Sequence, residues 1–156
     1  MNDKNERLGI GIRKMVMNDL DEVYTIEENC FPAPWIKQSF VESIEQLESF
    51  VLYYLSSDEI VGYFIGYGAV DEYSVYNIAV KPNYQGRGFG TYLLNVIMRS
   101  HQKKYESYIL DVRKSNNRAI MLYYKLGFKL AYTRKNYYTN PDEDALVMKF
   151  TLKKRE

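Results

Sequence analysis

The pattern of apolar and polar residues along the chain predicts alternating strands and helices. Short apolar runs that are rich in β-branched and aromatic residues and bounded by turn-forming residues indicate strands. Such runs cover residues 10–13, 50–55, 60–67, 73–80, 108–112, 128–138 and 145–152. Apolar residues at three-to-four spacing indicate four helices: two between the first two strands, a long one reaching about Lys104, and one over 115–126.

Residues with known preferences for helix ends mark where these helices begin and stop. Asn18 or Asp19 is expected to cap the first helix and Ser115 the last, because short polar side chains accept hydrogen bonds from free N–H groups. The segment 31–35 separates the first two helices, since its two prolines cannot continue a helix. Gly127 is placed to end the last helix in a left-handed conformation.

The order of these elements predicts an α+β fold with a mixed, mostly antiparallel central sheet flanked by helices. Only the connections through the two later helices require parallel neighbours in the sheet. The 156 residues contain no linker, internal repeat or low-complexity segment. We therefore expect a single domain over residues 1–156.

Charge and composition narrow the possible classes of function. The 21 basic and 20 acidic side chains give a net charge of +1, so we expect no direct binding to nucleic acid or membranes. No apolar run reaches the roughly 18 residues of a membrane span, and the polar start is not a secretory signal, which favours a cytoplasmic protein. The single cysteine, Cys30, and single histidine, His101, offer no disulfide and no metal site. We expect Cys30 to be a buried small side chain and His101 to be solvated.

A glycine-rich turn between the strand 73–80 and the following helix is the main candidate for a ligand site. It comprises Gln85, Gly86, Arg87, Gly88, Phe89, Gly90 and Thr91. Glycines let the backbone approach a bound group, and the N–H groups of a helix N-terminus attract anions, so the turn suits a phosphate or pyrophosphate. The turn matches neither the G-x-G-x-x-G of dinucleotide folds nor the P-loop. Tight packing of the helix would also explain its glycines.

A pair of polar residues on the last predicted helix is a second candidate. Asn116 and Tyr123 are seven residues apart, which places them on one helix face with Ile120 between them. Buried polar atoms without partners cost about 1–3 kcal/mol, so this face is expected to contact polar groups. The alternative is that Tyr123 is an ordinary core tyrosine.

Several segments, taken in order, resemble the GNAT superfamily of N-acetyltransferases. The glycine turn matches the superfamily pattern Q/R-x-x-G-x-G/A at Gln85, Gly88 and Gly90. Further segments are similar to those of RimI-type N-terminal acetyltransferases: Phe-Pro-x-Pro-Trp (31–35), Asn-Ile-Ala-Val (77–80), Val-Arg-x-Ser-Asn (112–116), Leu-Tyr-x-Lys-Leu-Gly-Phe (122–128), Arg-Lys-Asn-Tyr-Tyr (134–138) and Glu-Asp-Ala-x-Val-Met (143–148).

The resemblance implies acetyl-CoA as co-substrate and no metal. Residues 85–91 would hold the pyrophosphate of CoA. Asn116 and the backbone of Ile78, Ala79 and Val80 would hold the pantetheine arm, because the sheet of this family splays beside that strand. The N–H of Val80 would also stabilise the oxyanion. An ordinary buried strand explains the apolarity of these three residues equally well.

The same resemblance identifies two candidate catalysts. Tyr123 would protonate the departing thiolate as general acid. Asp111 stands where RimI-type enzymes commonly carry a glutamate that is thought to act as general base, and its side chain is one methylene shorter. Asp111 could instead only pair with Arg113, and an ordered water near Asn77 could replace it as base.

Aromatic residues and prolines would form the two walls of an acceptor slot. One wall would consist of Phe31, Pro32, Pro34 and Trp35, and the other of Tyr137 and Tyr138. These aromatics could also simply staple surface loops together. A shallow slot admits an α-amine but no long side chain, so we predict an N-terminal α-acetyltransferase that acts on protein or peptide N-termini, with possible proximity to the ribosome. The alternatives are acetylation of lysine side chains or small amines, and a non-catalytic acyl-CoA-binding subunit.

Overall fold

A computed structural model describes residues 9–153, and its central feature is one seven-stranded sheet. The strands lie in the order β1-β2-β3-β4-β5-β7-β6. Their bounds are β1 Ile10–Lys14, β2 Glu48–Tyr54, β3 Ile60–Ala69, β4 Glu72–Val80, β5 Ser107–Arg113, β6 Lys129–Tyr138 and β7 Glu143–Thr151. Within the described residues, the helices are α1 Leu20–Cys30, α2 Lys37–Gln46, α3 Phe89–Ser100 and α4 Asn117–Leu126. The α+β class and the predicted order of elements are confirmed.

The sheet is antiparallel except at one junction. β1 to β4 pair as antiparallel neighbours, and β4 then pairs with β5 in parallel through the crossover helix α3. The expectation that α4 also joins parallel neighbours is wrong. β7 lies between β5 and β6 and is antiparallel to both, because the chain returns through a tight β6–β7 hairpin.

Two helical layers cover the two faces of the sheet. On one face, α3 and α4 pack their apolar stripes on residues of β3, β4 and β5. On the other face, α1 and α2 cover β2 and β3 through Val23, Ile26 and Phe40, which pack with Val51 and Tyr63. Each layer buries one stripe of its helices, as the three-to-four spacing in the sequence predicts. In the described part of the chain, no helix has the length and apolarity needed to cross a membrane.

The junction between β4 and β5 opens partway along the strands. The parallel ladder covers only residues 72–75 of β4 and residues 107–110 of β5. On the other edge of β4, Ile65 pairs with Asn77 but Gly66 pairs with Val75, so Tyr76 is the extra residue of a β-bulge. A bulge bends its strand and increases the local twist. Consequently, β4 continues beyond Tyr76 along β3 while it separates from β5.

Several helix ends differ from the prediction. α3 stops at Ser100 rather than near Lys104, and a turn with positive φ at Gln102 and Lys103 follows it. Asn116, not Ser115, caps α4: its Oδ1 accepts a hydrogen bond from the N–H of Ala119 (3.2 Å). Gly127 ends α4 with φ of 102°, as predicted.

At the start of α1, no side-chain cap is formed. The carboxylate of Asp19 accepts hydrogen bonds from the N–H of Val16 and from the guanidinium of Arg13 (2.7 Å) instead. Arg13 and Val16 hold the pKa of Asp19 below its usual value against the opposing effect of burial, which is the largest single contribution. An ion pair to β1 therefore replaces the predicted cap.

His101 is not solvated, contrary to expectation. Its side chain is 9% exposed and lies among the rings of Tyr73, Tyr105 and Tyr108. Nδ1 lies 2.8 Å from the Tyr108 hydroxyl and Nε2 lies 3.1 Å from the carboxylate of Glu48. The C-terminus of α3, which has a polar sequence, therefore packs against the sheet. It covers the end of the sheet that lies opposite the opening between β4 and β5.

Gly68 of β3 provides a test of this covered end. A Cβ at Gly68 would lie 2.1 Å from the ring of Tyr105, which is 4% exposed. We expect Gly68→Ala to destabilise the fold by about 1–3 kcal/mol, the usual cost of overpacking, and to lower the melting temperature in calorimetry. Gly68 does not have positive φ, so an alanine there introduces no left-handed strain and a loss of stability reports the contact with Tyr105. An unchanged melting temperature for Gly68→Ala would show that the ring moves without cost.

Candidate active site

The opening between β4 and β5 leaves backbone groups of β4 directed into a cleft. Lys81 donates its N–H to the carbonyl of Val61 (2.7 Å), and Val80 lies opposite Gly62. Because hydrogen-bonded and outward-facing positions alternate in an antiparallel ladder, Ile78 and Val80 direct their N–H and C=O groups away from β3. Ala79 differs from the expectation, since its position in the ladder turns its backbone groups towards β3.

The glycine turn follows the end of β4 and leads directly into α3. Gly86 and Gly88 have φ of 78° and 84°, a left-handed region in which other residues are strained, and Gly88 is the N-cap of α3. A Cβ at Gly88 would meet no atom of the described residues within 4 Å, so conformation rather than packing requires this glycine. Gly90 is different: its Cβ would lie 2.9 Å from Leu122 of α4. Of Gly86, Gly88 and Gly90, only Gly90 is therefore explained by the alternative that these glycines permit tight packing of the helix.

The turn offers an open positive end of a helix. The N–H groups at the start of α3 have no intrahelical acceptor, and the helix dipole adds partial positive charge there. Arg87 is exposed, with its guanidinium 5.3 Å from the centre of the Tyr84 ring. An anion at this turn would therefore meet backbone donors and one exposed cation.

The side chain of Gln85 contacts other parts of the fold and does not face the open turn. Its side-chain amide donates to the carbonyl of Val80 (2.9 Å), and its Oε1 accepts from Arg118 of α4 (3.2 Å). Cys30 donates its S–H to the same Val80 carbonyl (3.3 Å). Burial, followed by the nearby charge of Glu27, raises the pKa of Cys30 to about 11, so its thiol stays protonated at neutral pH.

Tyr123 points from α4 into the protein and is 7% exposed. Burial raises its pKa well above the usual value, and the nearby Tyr138 raises it further. Within the described residues its hydroxyl makes no hydrogen bond, and it is not among the fully enclosed polar atoms. The structure thus holds a protonated phenol whose donor is available to a bound group.

Asn116 stands at the N-cap of α4 rather than within the helix. Asn116 precedes the first residue of α4, and its Oδ1 is used to cap the helix. Its side-chain nitrogen remains available for a further hydrogen bond.

Asp111 lies one residue beyond the end of the β4–β5 ladder, where the two strands separate. Its side chain is 32% exposed, and one carboxylate oxygen lies 3.5 Å from Nε of Arg134. The predicted alternative partner, Arg113, pairs with Glu143 (3.3 Å) and stacks 4.5 Å from the ring centre of Tyr138. Asp111 is also close enough to Tyr138 that, together with burial as the larger cause, it raises the pKa of that tyrosine to about 12.

The two predicted walls of the acceptor slot are attached to different parts of the fold. In the acceptor loop (residues 31–35), Phe31 and Trp35 are half-buried against the α1–α2 core, whereas Pro32 and Pro34 are exposed. The opposite wall is the end of β6, where Tyr137 and Tyr138 pack edge to face with ring centres 5.1 Å apart. Tyr137 is 52% exposed.

An open groove extends from the acceptor loop along α2. It has a volume of about 380 Å³ and runs between α2 and the bulge of β4, lined by Trp35, Ser39, Glu42, Ser43, Gln46, Leu47 and Tyr76. Tyr76, which is 51% exposed, follows Val75, the partner of Leu110, while Asp111 follows Leu110. The groove therefore leads away from the point where β4 and β5 separate.

Glu27 is a buried residue of this region that the sequence analysis did not identify. It is 2% exposed and accepts hydrogen bonds from Asn77, Trp35 and Tyr63. The spacing Leu20, Val23, Glu27 and Cys30 places it on the inward stripe of α1, so a charged residue on an apolar stripe was the available signal.

A family model for acetyltransferases, described as the acetyltransferase (GNAT) family, matches residues 20–128. A similar protein is the [ribosomal protein bS18]-alanine N-acetyltransferase of Escherichia coli K12, which is 35% identical over 141 residues, covering 88% of this chain and 94% of the relative. The protein of the same name from Haemophilus influenzae is 36% identical over 135 residues, covering 83% and 90%.

Comparison with solved structures agrees with these sequence matches. The crystal structure of the ribosomal-protein-S18-alanine N-acetyltransferase from Escherichia coli superposes with a TM-score of 0.84 at 32% identity, covering 94% of this chain and 96% of the other. Ard1 from Thermoplasma volcanium has the same TM-score at 21% identity, covering 94% and 99%, and supports the fold alone.

Gly88 provides a test of the anion cradle. Gly88→Ala would place a Cβ in a left-handed conformation, at a cost of about 1–2 kcal/mol, and would distort the N–H groups of the turn. We expect it to reduce the thermal stabilisation that inorganic pyrophosphate gives the wild type. Gly9→Ala, at φ of 65° with equally open surroundings, should lose similar stability but keep the pyrophosphate effect. Equal pyrophosphate effects in both variants would contradict a cradle at this turn.

Proposed function

This chain belongs to the acetyltransferase (GNAT) family, and we propose that it transfers the acetyl group of acetyl-CoA to the α-amine of protein N-termini, those of ribosomal proteins included. Its co-substrate is acetyl-CoA, in keeping with relatives of the same fold whose structures hold acetyl-CoA. The observation that carries the proposal is the cleft where β4 leaves β5, with a protonated tyrosine and a carboxylate on its borders. We further propose that residues 1–156 form one catalytic domain that acts in the cytoplasm, close to the ribosome.

The residues around the cleft fit an acyl-CoA. The outward N–H and C=O groups of Ile78 and the N–H of Val80 match the amides of a pantetheine arm, which would extend β4 in the manner of an added strand. The left-handed glycines and the start of α3 match its pyrophosphate. Bound acetyl-CoA supplies an activated thioester, so this chain needs no nucleophile of its own. The protonated Cys30 thiol agrees with direct attack by the amine in a ternary complex.

Tyr123 is the proposed general acid. Because burial raises its pKa, the phenol carries its proton throughout the neutral range. Its hydroxyl is free to donate to the sulfur as the carbon–sulfur bond breaks, so that the thiolate leaves as a thiol. Removal of this donor is expected to slow the chemical step.

Asp111 is the proposed general base. Its carboxylate lies at the separation of β4 from β5 and is partly exposed, so it can accept a proton from the amine directly or through one water. An amine that reaches the thioester between the acceptor loop and the end of β6 passes this carboxylate.

The acceptor side favours an extended peptide. The groove along α2 continues from Trp35 past Tyr76, and residues that follow the acetylated N-terminus would occupy it. The rings of Tyr137 and Tyr138 close the other side and place hydroxyl groups that can contact the peptide backbone.

Tyr123→Phe tests the acid and the acceptor class together. We expect it to lower kcat about 100-fold on peptides with a free α-amine, with little change in the KM for acetyl-CoA, because one proton donor is lost from the transition state. The measurement is CoA release over peptides that begin with Ala, Ser or Met, beside α-blocked peptides with a free lysine. Tyr124→Phe, next on the same helix but 49% exposed, is the matched control.

The wild-type results in the same assay decide the acceptor. Turnover only on the blocked lysine peptides or on small amines would refute N-terminal acetylation, and tight CoA binding without turnover on any acceptor would refute an enzymatic role.

Asp111→Asn tests the base through its pH dependence. An α-amine has a pKa of about 7.7–8.0, so at lower pH most of it carries a proton that a base must remove. We expect the variant to lose about 100-fold in kcat/KM at pH 6.5 and clearly less at pH 9, where the amine is already neutral. Asp142→Asn, an exposed aspartate of the β6–β7 hairpin, is the control. A loss that is constant with pH would indicate that Asp111 only orders the hairpin.

A further inference from the structure

Glu27 carries a buried carboxylate that the reaction described above does not use. Its Oε1 accepts from the N–H of Trp35 (3.0 Å), and its Oε2 accepts from Nδ2 of Asn77 (2.8 Å) and from the hydroxyl of Tyr63. A carboxylate that is 2% exposed is costly unless such donors satisfy it. The three donors come from three separate parts of the fold: the acceptor loop, β4 and β3.

The acceptor loop has few backbone N–H groups that can donate hydrogen bonds to the rest of the fold. Two of its five residues are prolines, so only Phe31, Ala33 and Trp35 have an N–H to donate. The N–H of Phe31 bonds to the carbonyl oxygen of Glu27 (3.1 Å), and the N–H of Trp35 bonds to its carboxylate. Two of the three N–H groups of the loop therefore end on this one residue.

The other side of the carboxylate is fixed to β4 at the cleft. Asn77 directly follows the bulged Tyr76 and precedes Ile78, whose backbone groups face the cleft. Tyr63 keeps its proton, because burial and then the charge of Glu27 raise its pKa far above the usual value, so it donates and cannot compete as an anion. Glu27 thus spans the gap between a wall of the acceptor slot and the strand beside the thioester.

We propose that Glu27 is a positioning residue that fixes the acceptor loop relative to β4 and thereby places the acceptor peptide against the thioester. The inference rests on the proposed function and adds the residue that sets acceptor binding. Glu27 acts by its length, which lets its two terminal atoms reach Trp35 and Asn77 together, rather than by its charge. Both oxygens are occupied and shielded from solvent, which leaves no path for it to take a proton from an incoming amine.

Two conservative variants separate length from charge. Glu27→Gln keeps the length and an oxygen for the N–H of Trp35. Its amide nitrogen can donate to the Asn77 oxygen after the Asn77 amide turns over, and to the Tyr63 oxygen, which then accepts instead of donating. Glu27→Asp keeps the charge but is one methylene shorter, so it cannot reach Trp35 and Asn77 together. We expect Glu27→Asp to raise the KM for peptide about ten-fold or more with the KM for acetyl-CoA within about two-fold, and Glu27→Gln to stay near the wild type.

Trp35 supplies a second measurement that needs no turnover. It is the single tryptophan of the chain and belongs to the acceptor loop, so its fluorescence reports the position of that loop directly. We expect acrylamide to quench Trp35 more strongly in Glu27→Asp than in the wild type or in Glu27→Gln. Glu28→Asp and Glu28→Gln, at the exposed neighbouring position on α1, are the matched controls and should behave as wild type in both measurements.

Two results would overturn the proposal. The first is the reverse order, with Glu27→Asp active and Glu27→Gln impaired, which would make the charge the functional property. The second is an equal rise of both KM values with unchanged Trp35 quenching, which would indicate a general loss of structure. If the wild type acetylates no peptide, the proposed function fails, but the quenching comparison still tests whether Glu27 holds the loop.

Discussion

The separation of β4 from β5 after Val75 is the constraint on which the site depends. A sheet that stayed paired to the end of both strands would use the outward backbone groups of Ile78 and Val80 in its own ladder. The bulge at Tyr76 bends β4 away, and the short parallel ladder leaves the N–H and C=O of Ile78 and the N–H of Val80 free for a ligand, whereas the Val80 carbonyl is used within the fold. The same separation sets Asp111 at the border of the cleft, so one irregularity serves both co-substrates.

Polar contacts at the end of β4 stabilise the separation of β4 from β5. The Val80 carbonyl, which faces the gap, accepts from Gln85 and Cys30, and Gln85 also contacts Arg118 of α4. These contacts join the glycine turn to α1 on one side and to α4 on the other. Without them the end of β4 would carry an unsatisfied carbonyl beside the cleft, at a cost of about 1–3 kcal/mol.

Most of the strands, helices and turns could be predicted from the sequence, because each is indicated by neighbouring residues. Strand runs, helix stripes, Gly127 and the glycine turn each depend on the preferences of adjacent residues. The failures concern side chains whose partners belong to other secondary-structure elements. His101 looks polar and exposed until Glu48 and Tyr108 close around it, and Asp19 looks like a cap until Arg13 takes its carboxylate. The position of β7 between β5 and β6 is likewise a choice among long-range pairings.

The candidate site shows the same division between local and long-range signals. Residues with a motif, such as Gly88 and Tyr123, could be proposed as site residues from sequence, whereas Glu27 has no motif and its three donors come from positions 35, 63 and 77. A charged residue on the apolar stripe of a helix is costly to bury, so its presence already implies that donors converge on it. Which donors these are depends on the bulge and on the acceptor loop, and both are set only once the sheet has formed. The contacts of Glu27, which escaped the sequence analysis, are those that we propose to fix the acceptor loop relative to β4.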